Sequence, residues 1–224
     1  MGAAGDFPID LVILGGVALF LILRLRSILG RREGFERPVD GQGGEVRAPE
    51  AASIRPTELG RAPGPETTRI LPDPSTEAGI ALAAMSALDP TVHPGQFLNS
   101  AEAAFRLIVG AFAAGDCVGL QPLLSDDTYR AFETAIAARE TAGDTQRTEI
   151  RGIPSVAIEH AALHDHTASI TVRFVSDQVN ITHDNAGHPV VGTDAVTEIT
   201  DLWTFERVLG SSDPSWRLAA ARSA

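Results

Sequence analysis

Asp201 is the residue of this sequence best suited to acid–base chemistry. It alternates with Ile199, Trp203 and Phe205, so a β-strand would place all four side chains on one, largely apolar face. A carboxyl group in such surroundings can act as a general acid or base, with Tyr129 or a histidine as its partner. A structural carboxylate that pairs with an arginine or accepts from the backbone has the same pattern and is the commoner case. We therefore expect no catalytic residue.

The histidines and the single cysteine do not form a recognisable metal or thiol site. His164 and His166 flank a predicted turn and lack a third ligand at metal-like spacing. Cys117 is the only cysteine of the sequence, which excludes a disulfide within it and favours a reducing compartment. Its simplest role is that of a small buried residue. The sequence predicts neither a metal nor a cofactor.

A run of helices followed by strands is predicted to position these residues in a folded domain spanning 96–224. The first helix is predicted to start near Asn99, where Glu102 completes a capping box, and to end at Gly115. This order predicts the α+β class, with three helices on a curved antiparallel sheet. The predicted helices are 99–115, 120–124 and 125–143, and the predicted strands are 150–163, 167–175, 197–207 and 216–220.

The N-terminal region contains an apolar run that predicts a membrane anchor. Residues 11–23 carry no charge, and their apolar flanks extend the segment to 7–29, about the 20 residues that a bilayer core requires. Four arginines follow the run within nine residues, whereas the only charged side chains before it are those of Asp6 and Asp10. By the positive-inside rule, the N-terminus lies outside and the remainder lies in the cytoplasm. A cleaved signal peptide and a buried core helix are the alternatives.

Two segments separate the anchor from the domain. Residues 30–77 hold seven of the fourteen prolines and show no helical or strand period, which predicts a disordered tether rich in Pro and Gly. Residues 78–95 comprise a short apolar helix, 78–88, and a connection. That helix contains no charged residue, so it can pack on the domain, lie in a membrane interface or grip a partner.

The charge of the folded domain excludes one large class of partner. Residues 96–224 contain nine arginines and seventeen carboxylates, a net charge of −8. An acidic surface repels phosphate backbones, so we expect no nucleic-acid partner. The same repulsion disfavours loose electrostatic adsorption to anionic lipid.

Several motifs, in order, resemble the Tim-forty-four-like (Tim44-like) domain family. The family takes its name from the peripheral subunit that anchors the import motor to the mitochondrial inner-membrane translocase, and it has bacterial members with an N-terminal anchor. The domain motifs are AFAAGD, LQPLLSDDTY, AIAARETAG, TVRFVS, DLWTF and DPSWRLAA, and the anchor motif is LILRLRSILGRR. The mitochondrial relative has a long N-terminal region that engages the translocase and the chaperone motor. This sequence has the Pro-rich segment in its place, so a motor-recruiting role is not expected.

The resemblance implies a nuclear-transport-factor-two-like cone, in which helices close over a curved sheet and leave a hydrophobic pocket. In the family, this pocket and the preceding helices are associated with the membrane and its lipids, without enzymatic activity. Residues that could line the pocket are apolar and recur at helical or strand spacing, a pattern that ordinary core packing also produces. They are Phe97, Phe105, Ile108, Phe112, Phe174, Trp203 and Phe205.

From these features we expect a single-pass, cytoplasm-facing binding or scaffold module of the bacterial inner membrane. It would serve protein translocation or membrane-complex assembly, with membrane lipid and inner-membrane or translocating proteins as partners. Two alternatives are a pocket enzyme of the same cone fold, of isomerase or hydrolase type, that uses Asp201, and a component like the type IV secretion bridge protein. The domain of the bridge protein lies outside the cytoplasm, against the order of charges and the free thiol seen here.

Overall fold

The computed structural model describes residues 67–224, which contain four α-helices, one 3₁₀ turn and five β-strands. The predicted anchor 7–29 and most of the predicted tether lie outside the described residues. The helices are α1 (Glu77–Leu88), α2 (Pro94–Ala114), α3 (Cys117–Leu120) and α4 (Asp126–Ala142), with the 3₁₀ turn at Gln121–Leu123. The strands are β1 (Thr68–Ile70), β2 (Thr145–His164), β3 (Thr167–His183), β4 (Pro189–Val208) and β5 (Arg217–Ser223).

The strands form one sheet in the order β1-β2-β3-β4-β5. Strands β2 to β5 are antiparallel neighbours, as predicted, but β1 runs parallel to β2 with Thr68 opposite Ser155. The last ten or so residues of the predicted tether therefore contain a strand, because pairing with the edge of β2 orders a segment with no periodicity of its own. The β2–β3 turn at Asp165, with φ of 53°, was predicted, and so was the β3–β4 turn after Asp184.

Local irregularities curve the sheet around the helices. Strand β2 shifts register three times against β3, between 150 and 160, and each such bulge increases the local twist. Strand β4 has an insertion between Thr193 and Thr197, and Gly192 before it has φ of 87°. A Cβ atom on Gly192 would lie 2.1 Å from the carbonyl oxygen of Asn180, so only glycine fits this close approach.

The helix boundaries follow local signals, with one exception. Helix α4 begins after Ser125, whose side chain accepts from the Thr128 N–H, and ends at Gly143 in the left-handed conformation, as predicted. Helix α2 starts at Pro94 rather than Asn99, so the predicted capping box is wrong. Proline in the first turn outweighs that motif, because its fixed φ suits a helix start and its missing N–H is not needed there.

Helix α1 packs on the domain, one of the three roles open to it from its sequence. Thr76 caps its start by accepting from the Gly79 N–H, and Leu82 and Met85 are buried in the main core. Both α1 and α2 lie against β2. The α+β cone is thus confirmed, with α1 as a packed element beside the three predicted helices.

Within residues 67–224, only α2 is long and apolar enough to cross a membrane by length and composition alone. Its inner face packs into the core through Leu98, Phe105 and Ile108. Burial of that face against the sheet identifies α2 as the central helix of the domain.

Candidate functional site

The inner face of β3 divides the interior of the cone into an apolar end and a polar end. Alternate residues of the strand point inward and are all buried. The first half of this stripe is apolar, whereas the second half is polar, an arrangement that requires hydrogen-bond partners in the interior. The apolar residues are Ala168, Ile170, Val172 and Phe174, and the polar residues are Ser176, Gln178, Asn180 and Thr182.

Aromatic rings of α2, β3 and β4 fill the apolar end. Phe105 stacks on Phe174 with ring centroids 4.4 Å apart and lies 4.6 Å from Trp203. Phe205 continues the cluster at 6.3 Å from Trp203, and Phe97 contacts Phe205 edge to face at 5.9 Å. These rings contact one another, so a ligand that enters the apolar end would have to part them.

Two further predicted pocket residues lie close to this cluster. Ile108 is buried in the same core, whereas Phe112 is only partly buried and packs against Phe132 of α4 at 5.1 Å. Trp216, which the sequence did not single out, contacts Phe97 at 4.9 Å. Six of the seven predicted residues therefore share one buried site, and their role in binding stays a prediction.

The indole of Trp203 supplies a polar group to this apolar end. Its side chain is 1% exposed, and its Nε1 has no hydrogen-bond partner among residues 67–224. Buried N–H groups normally have a partner, since an unsatisfied donor costs free energy. A ligand with an acceptor oxygen, such as an ester or a peptide carbonyl, would satisfy it.

Hydrogen bonds connect the polar side chains of β3 along the strand. The Gln178 amide donates to Ser176 Oγ at 2.7 Å, and the Asn180 amide donates to Gln178 Oε1 at 3.3 Å. Ser176 in turn donates to the Ile199 carbonyl of β4 at 3.4 Å. The three side chains thus bridge β3 to β4 inside the cone.

The same chain of hydrogen bonds continues across β2 to the helices. Thr148 donates to Asn180 Oδ1, and the Gln146 amide donates to Thr148 Oγ1 at 3.2 Å. Arg139 of α4 donates to Gln146 Oε1 and, at 2.8 Å, to the Phe112 carbonyl near the end of α2. We call this connected set, from Ser176 to Arg139, the polar ladder. Burial lowers the pKa of the Arg139 guanidinium from its ordinary value.

Asp201 lies where the two ends meet. It is fully buried on the inner face of β4, opposite Phe174 on β3 and Ser223 on β5. Its predicted placement among apolar residues is confirmed. It is two residues from Ile199, whose carbonyl accepts from the polar ladder, and two residues from Trp203.

Tyr129, His164 and His166, named as possible acid–base partners of Asp201, lie in other surroundings. Tyr129 donates to Glu133 Oε1 on its own helix at 3.3 Å, and burial together with that carboxylate raises the pKa of Tyr129. His164 and His166 are exposed at the β2–β3 turn. Among the residues that the structure describes, no three His, Cys, Asp or Glu side chains come together as a metal site.

The model of the Tim44-like domain family matches residues 78–223, more than half of the chain. The chain belongs to the Tim44-like domain family. The matched region includes α1, so the family domain and the packed core begin at the same helix. Membership supports a membrane-associated role in translocation or scaffolding, at that general level.

Three solved structures are similar to parts of this Tim44-like chain at low sequence identity. The intermembrane space region of the chloroplast protein ARC6 is 9% identical, with a TM-score of 0.42, over 56% of this chain and 95% of that one. A putative dehydratase of the NTF2-like family from Streptomyces avermitilis is 13% identical, with a TM-score of 0.34, over 58% and 96%. A ketosteroid isomerase-like protein from Erwinia carotovora atroseptica is 15% identical, with a TM-score of 0.30, over 56% and 93%. No curated protein matches the chain.

The polar ladder is the part of the Tim44-like domain that sequence reasoning missed. The alternation of side chains along β3 could have revealed it. Ser176, Gln178 and Asn180 follow Phe174 at every second position, so they point to the same inner face. Polar residues at such positions ordinarily indicate a solvent-facing end of a strand. The partners Thr148, Gln146 and Arg139 come from other elements and are not visible in that pattern.

Proposed function

We propose that this Tim44-like protein is a non-catalytic, membrane-anchored binding or scaffold module that faces the cytoplasm at the bacterial inner membrane. It takes part in protein translocation or in the assembly of membrane complexes. The observation that carries the proposal is the family match over 78–223, combined with the apolar run at 11–23 that four arginines follow. An anchor confines the domain to a thin layer at the membrane, which raises its effective concentration for partners there.

The apolar end of the cone would accept a lipid tail or an apolar segment of a partner protein. The aromatic side chains of α2, β3 and β4 supply the apolar surface, and the Trp203 N–H supplies a single directional contact. Binding sites for apolar ligands commonly combine these two features. The acidic surface disfavours contact through anionic headgroups, so insertion of an apolar group is the better mode of attachment.

Lipid binding can be tested on the full-length protein extracted in mild detergent. Native mass spectrometry and lipid analysis should find copurified lipid in the wild type. Trp203→Phe keeps an aromatic side chain, although a smaller one, and removes the N–H donor, so it should lower lipid recovery several-fold. Trp216→Phe makes the same exchange at a partly buried tryptophan at the edge of the cluster, where it contacts Phe97, and should lower recovery much less. Recovery of neither lipid nor a membrane protein from the wild type would count against the proposal.

Topology separates this function from that of a type IV secretion bridge component. A C-terminal tag on the full-length chain should be digested by protease in inverted vesicles and protected in intact spheroplasts. The reverse pattern would place the domain outside the cytoplasm. The enzymatic alternative depends on Asp201, and purified protein should show no isomerase or hydrolase turnover that Asp201→Asn abolishes.

A further inference from the structure

The described helices leave the outer face of the sheet uncovered. Among residues 67–224, the helices pack on the inner face through one core, which contains Phe174 of β3 and Trp203 of β4. Val175 and Leu202 are the neighbours of these residues along each strand, so they point to the opposite face. Both lie outside that core and are partly exposed. The outer face is therefore a surface that a partner can contact.

Positively charged side chains form one row across this face. Arg173 of β3 and Arg222 of β5 both pair with Leu202 of β4, so the three side chains lie in line on the outer face. Arg173 binds Glu159 through Nε, and its two Nη groups can still donate to a second carboxylate. Arg222 is exposed. This row thus offers guanidinium groups to a partner.

Negatively charged side chains form a second row farther along β3. Asp177 lies directly opposite Glu198 of β4, a position in which like charges repel. Neither carboxylate forms an ion pair with a residue of the described region 67–224. Gly152, the residue of β2 paired with Asp177, has no side chain that could cover it. Cations supplied by a partner would relieve this repulsion.

A second copy of the chain presents both rows in a complementary arrangement. The row between them, which contains Val175, has no charged side chain. If a two-fold axis crosses the strands at this row and lays the outer faces together, residues two positions before Val175 in one copy face residues two positions after it in the other. Arg173 then faces Asp177, and the symmetry repeats the contact. Arg222 lies one strand spacing, about 4.8 Å, from the line of Glu198, which its side chain can reach.

We propose that the chain forms a homodimer through the outer face of its sheet, in which Arg173 and Arg222 of one protomer pair with Asp177 and Glu198 of its partner. The face measures roughly 35 Å along β3 and about 19 Å from β2 to β5. Its area is comparable with the ~800 Å² that each partner buries in a stable interface. An anionic membrane or a basic protein would complement only one of the two rows, whereas an identical face complements both. The site inside each cone lies on the other face of the sheet, so this inference does not depend on the proposed function.

Sedimentation equilibrium of the full-length protein in detergent measures the association. The wild type should form dimers at micromolar concentration. Asp177→Arg should raise the dissociation constant about tenfold or more, because each Arg–Asp contact becomes a contact between two arginines. Glu133→Arg makes the same charge reversal at an exposed position of α4 and should leave the constant unchanged. A monomeric wild type, or equal effects of the two substitutions, would overturn the proposal.

A double substitution separates loss of the interface from loss of the fold. Arg173→Asp and Asp177→Arg, combined in one chain, exchange the charges of both contacts across the two-fold axis. The double variant should therefore associate more tightly than either single variant. A double variant that associates no better than Asp177→Arg would contradict the proposed pairing.

Cross-linking gives a readout of the position of the axis. In a Cys117→Ser background, Val175→Cys places one thiol of each protomer at the two-fold axis, and a short bismaleimide should join them into a covalent dimer. Thr134→Cys, on the exposed side of α4, should yield little dimer, and Asp177→Arg should suppress the product of Val175→Cys. Equal yields at the two positions would refute the interface. Neither experiment requires lipid in the apolar end, so this proposal and the proposed function can fail separately.

Discussion

Arg207 of β4 donates through Nη2 to Asp89 Oδ2 at 2.7 Å, and both side chains are almost completely buried. Asp89 is the C-cap of α1, and its own N–H donates to the Met85 carbonyl. Thr91 completes the arrangement, because its hydroxyl donates to Asp89 Oδ1 and accepts from Arg207 at 3.2 Å. Helix α1 packs on β2, and this ion pair connects its C-terminal end to β4, on the other side of the sheet.

Replacing Arg207 with methionine should lower the melting temperature of the protein by roughly 5 °C or more, since Asp89 would then be buried without its cation. The matched control is Arg217→Met, which removes an exposed ion pair with Asp213 and should change Tm by about 1–2 °C at most. Thermal unfolding followed by circular dichroism measures both. Equal shifts for the two variants would show that the buried pair does not stabilise α1.

The contribution of Asp89 to stability should depend on pH. The Thr91 hydroxyl and N–H, with the charge of Arg207, hold the pKa of Asp89 below its ordinary value. Its stabilising effect is therefore complete above the pKa of the unfolded chain, about 3.9, and is lost as the pH falls through the lower folded-state pKa. Asp89→Asn should lower Tm at pH 6–7, with a difference that shrinks below about pH 4. A difference that is constant from pH 7 to pH 3 would contradict this assignment.

Arg139 should stabilise the domain through uncharged partners. Its guanidinium donates to Gln146 and to the Phe112 carbonyl and lies over the Phe112 ring at 5.2 Å. Arg139→Met should cost about 2 kcal/mol in urea unfolding and speed amide exchange at the end of α2. Arg130→Met, which breaks an exposed pair with Asp127 on the same helix, should cost less than about 0.5 kcal/mol. Similar losses of unfolding free energy for the two variants would show that the polar ladder does not stabilise the domain.

Gly192 and Gly187 provide a test of close packing at positive φ. Both have φ above 80°, but a Cβ would be 2.1 Å from the Asn180 carbonyl at Gly192 and would meet nothing within 4 Å at Gly187. Gly187→Ala should therefore cost only the conformational strain, about 1 kcal/mol. Gly192→Ala should cost about 3 kcal/mol or more, because the strands must also separate. Denaturant unfolding of the two variants compares the effects directly.

The sequence predicted those elements whose signals are local. Helix α4 has its cap at Ser125 and its stop at Gly143, and both operate within a few residues of the chain. Strand β1 was missed because three residues in a Pro-rich stretch are ordered only by their pairing with β2. Helix α2 was predicted to start five residues late, since the Asn99 and Glu102 pattern is also found inside helices. Glu102 there binds Arg69 and Arg106 instead.

The sequence predicted which residues lie in the candidate site but not which of them contact one another. Period-two alternation placed Phe174, Trp203 and Asp201 on an inner face, and they lie there. The contacts between individual rings depend on the angle at which α2 crosses the sheet. That angle depends on the curvature that the bulges give the sheet, and no local sequence pattern reveals the bulges. The polar ladder joins Arg139 of α4 to Ser176 of β3, so it exists only once the elements have packed.

Strand β1 also determines how the domain responds to force. It is the first element of the described region and runs parallel to β2, held in addition by the ion pair between Arg69 and Glu102. If a pull on residue 67 is directed along β1, the hydrogen bonds between β1 and β2 share the load and must break together. A pull across the strand would break them one after another. Strand β1 therefore resists tension along its own direction better than tension across it.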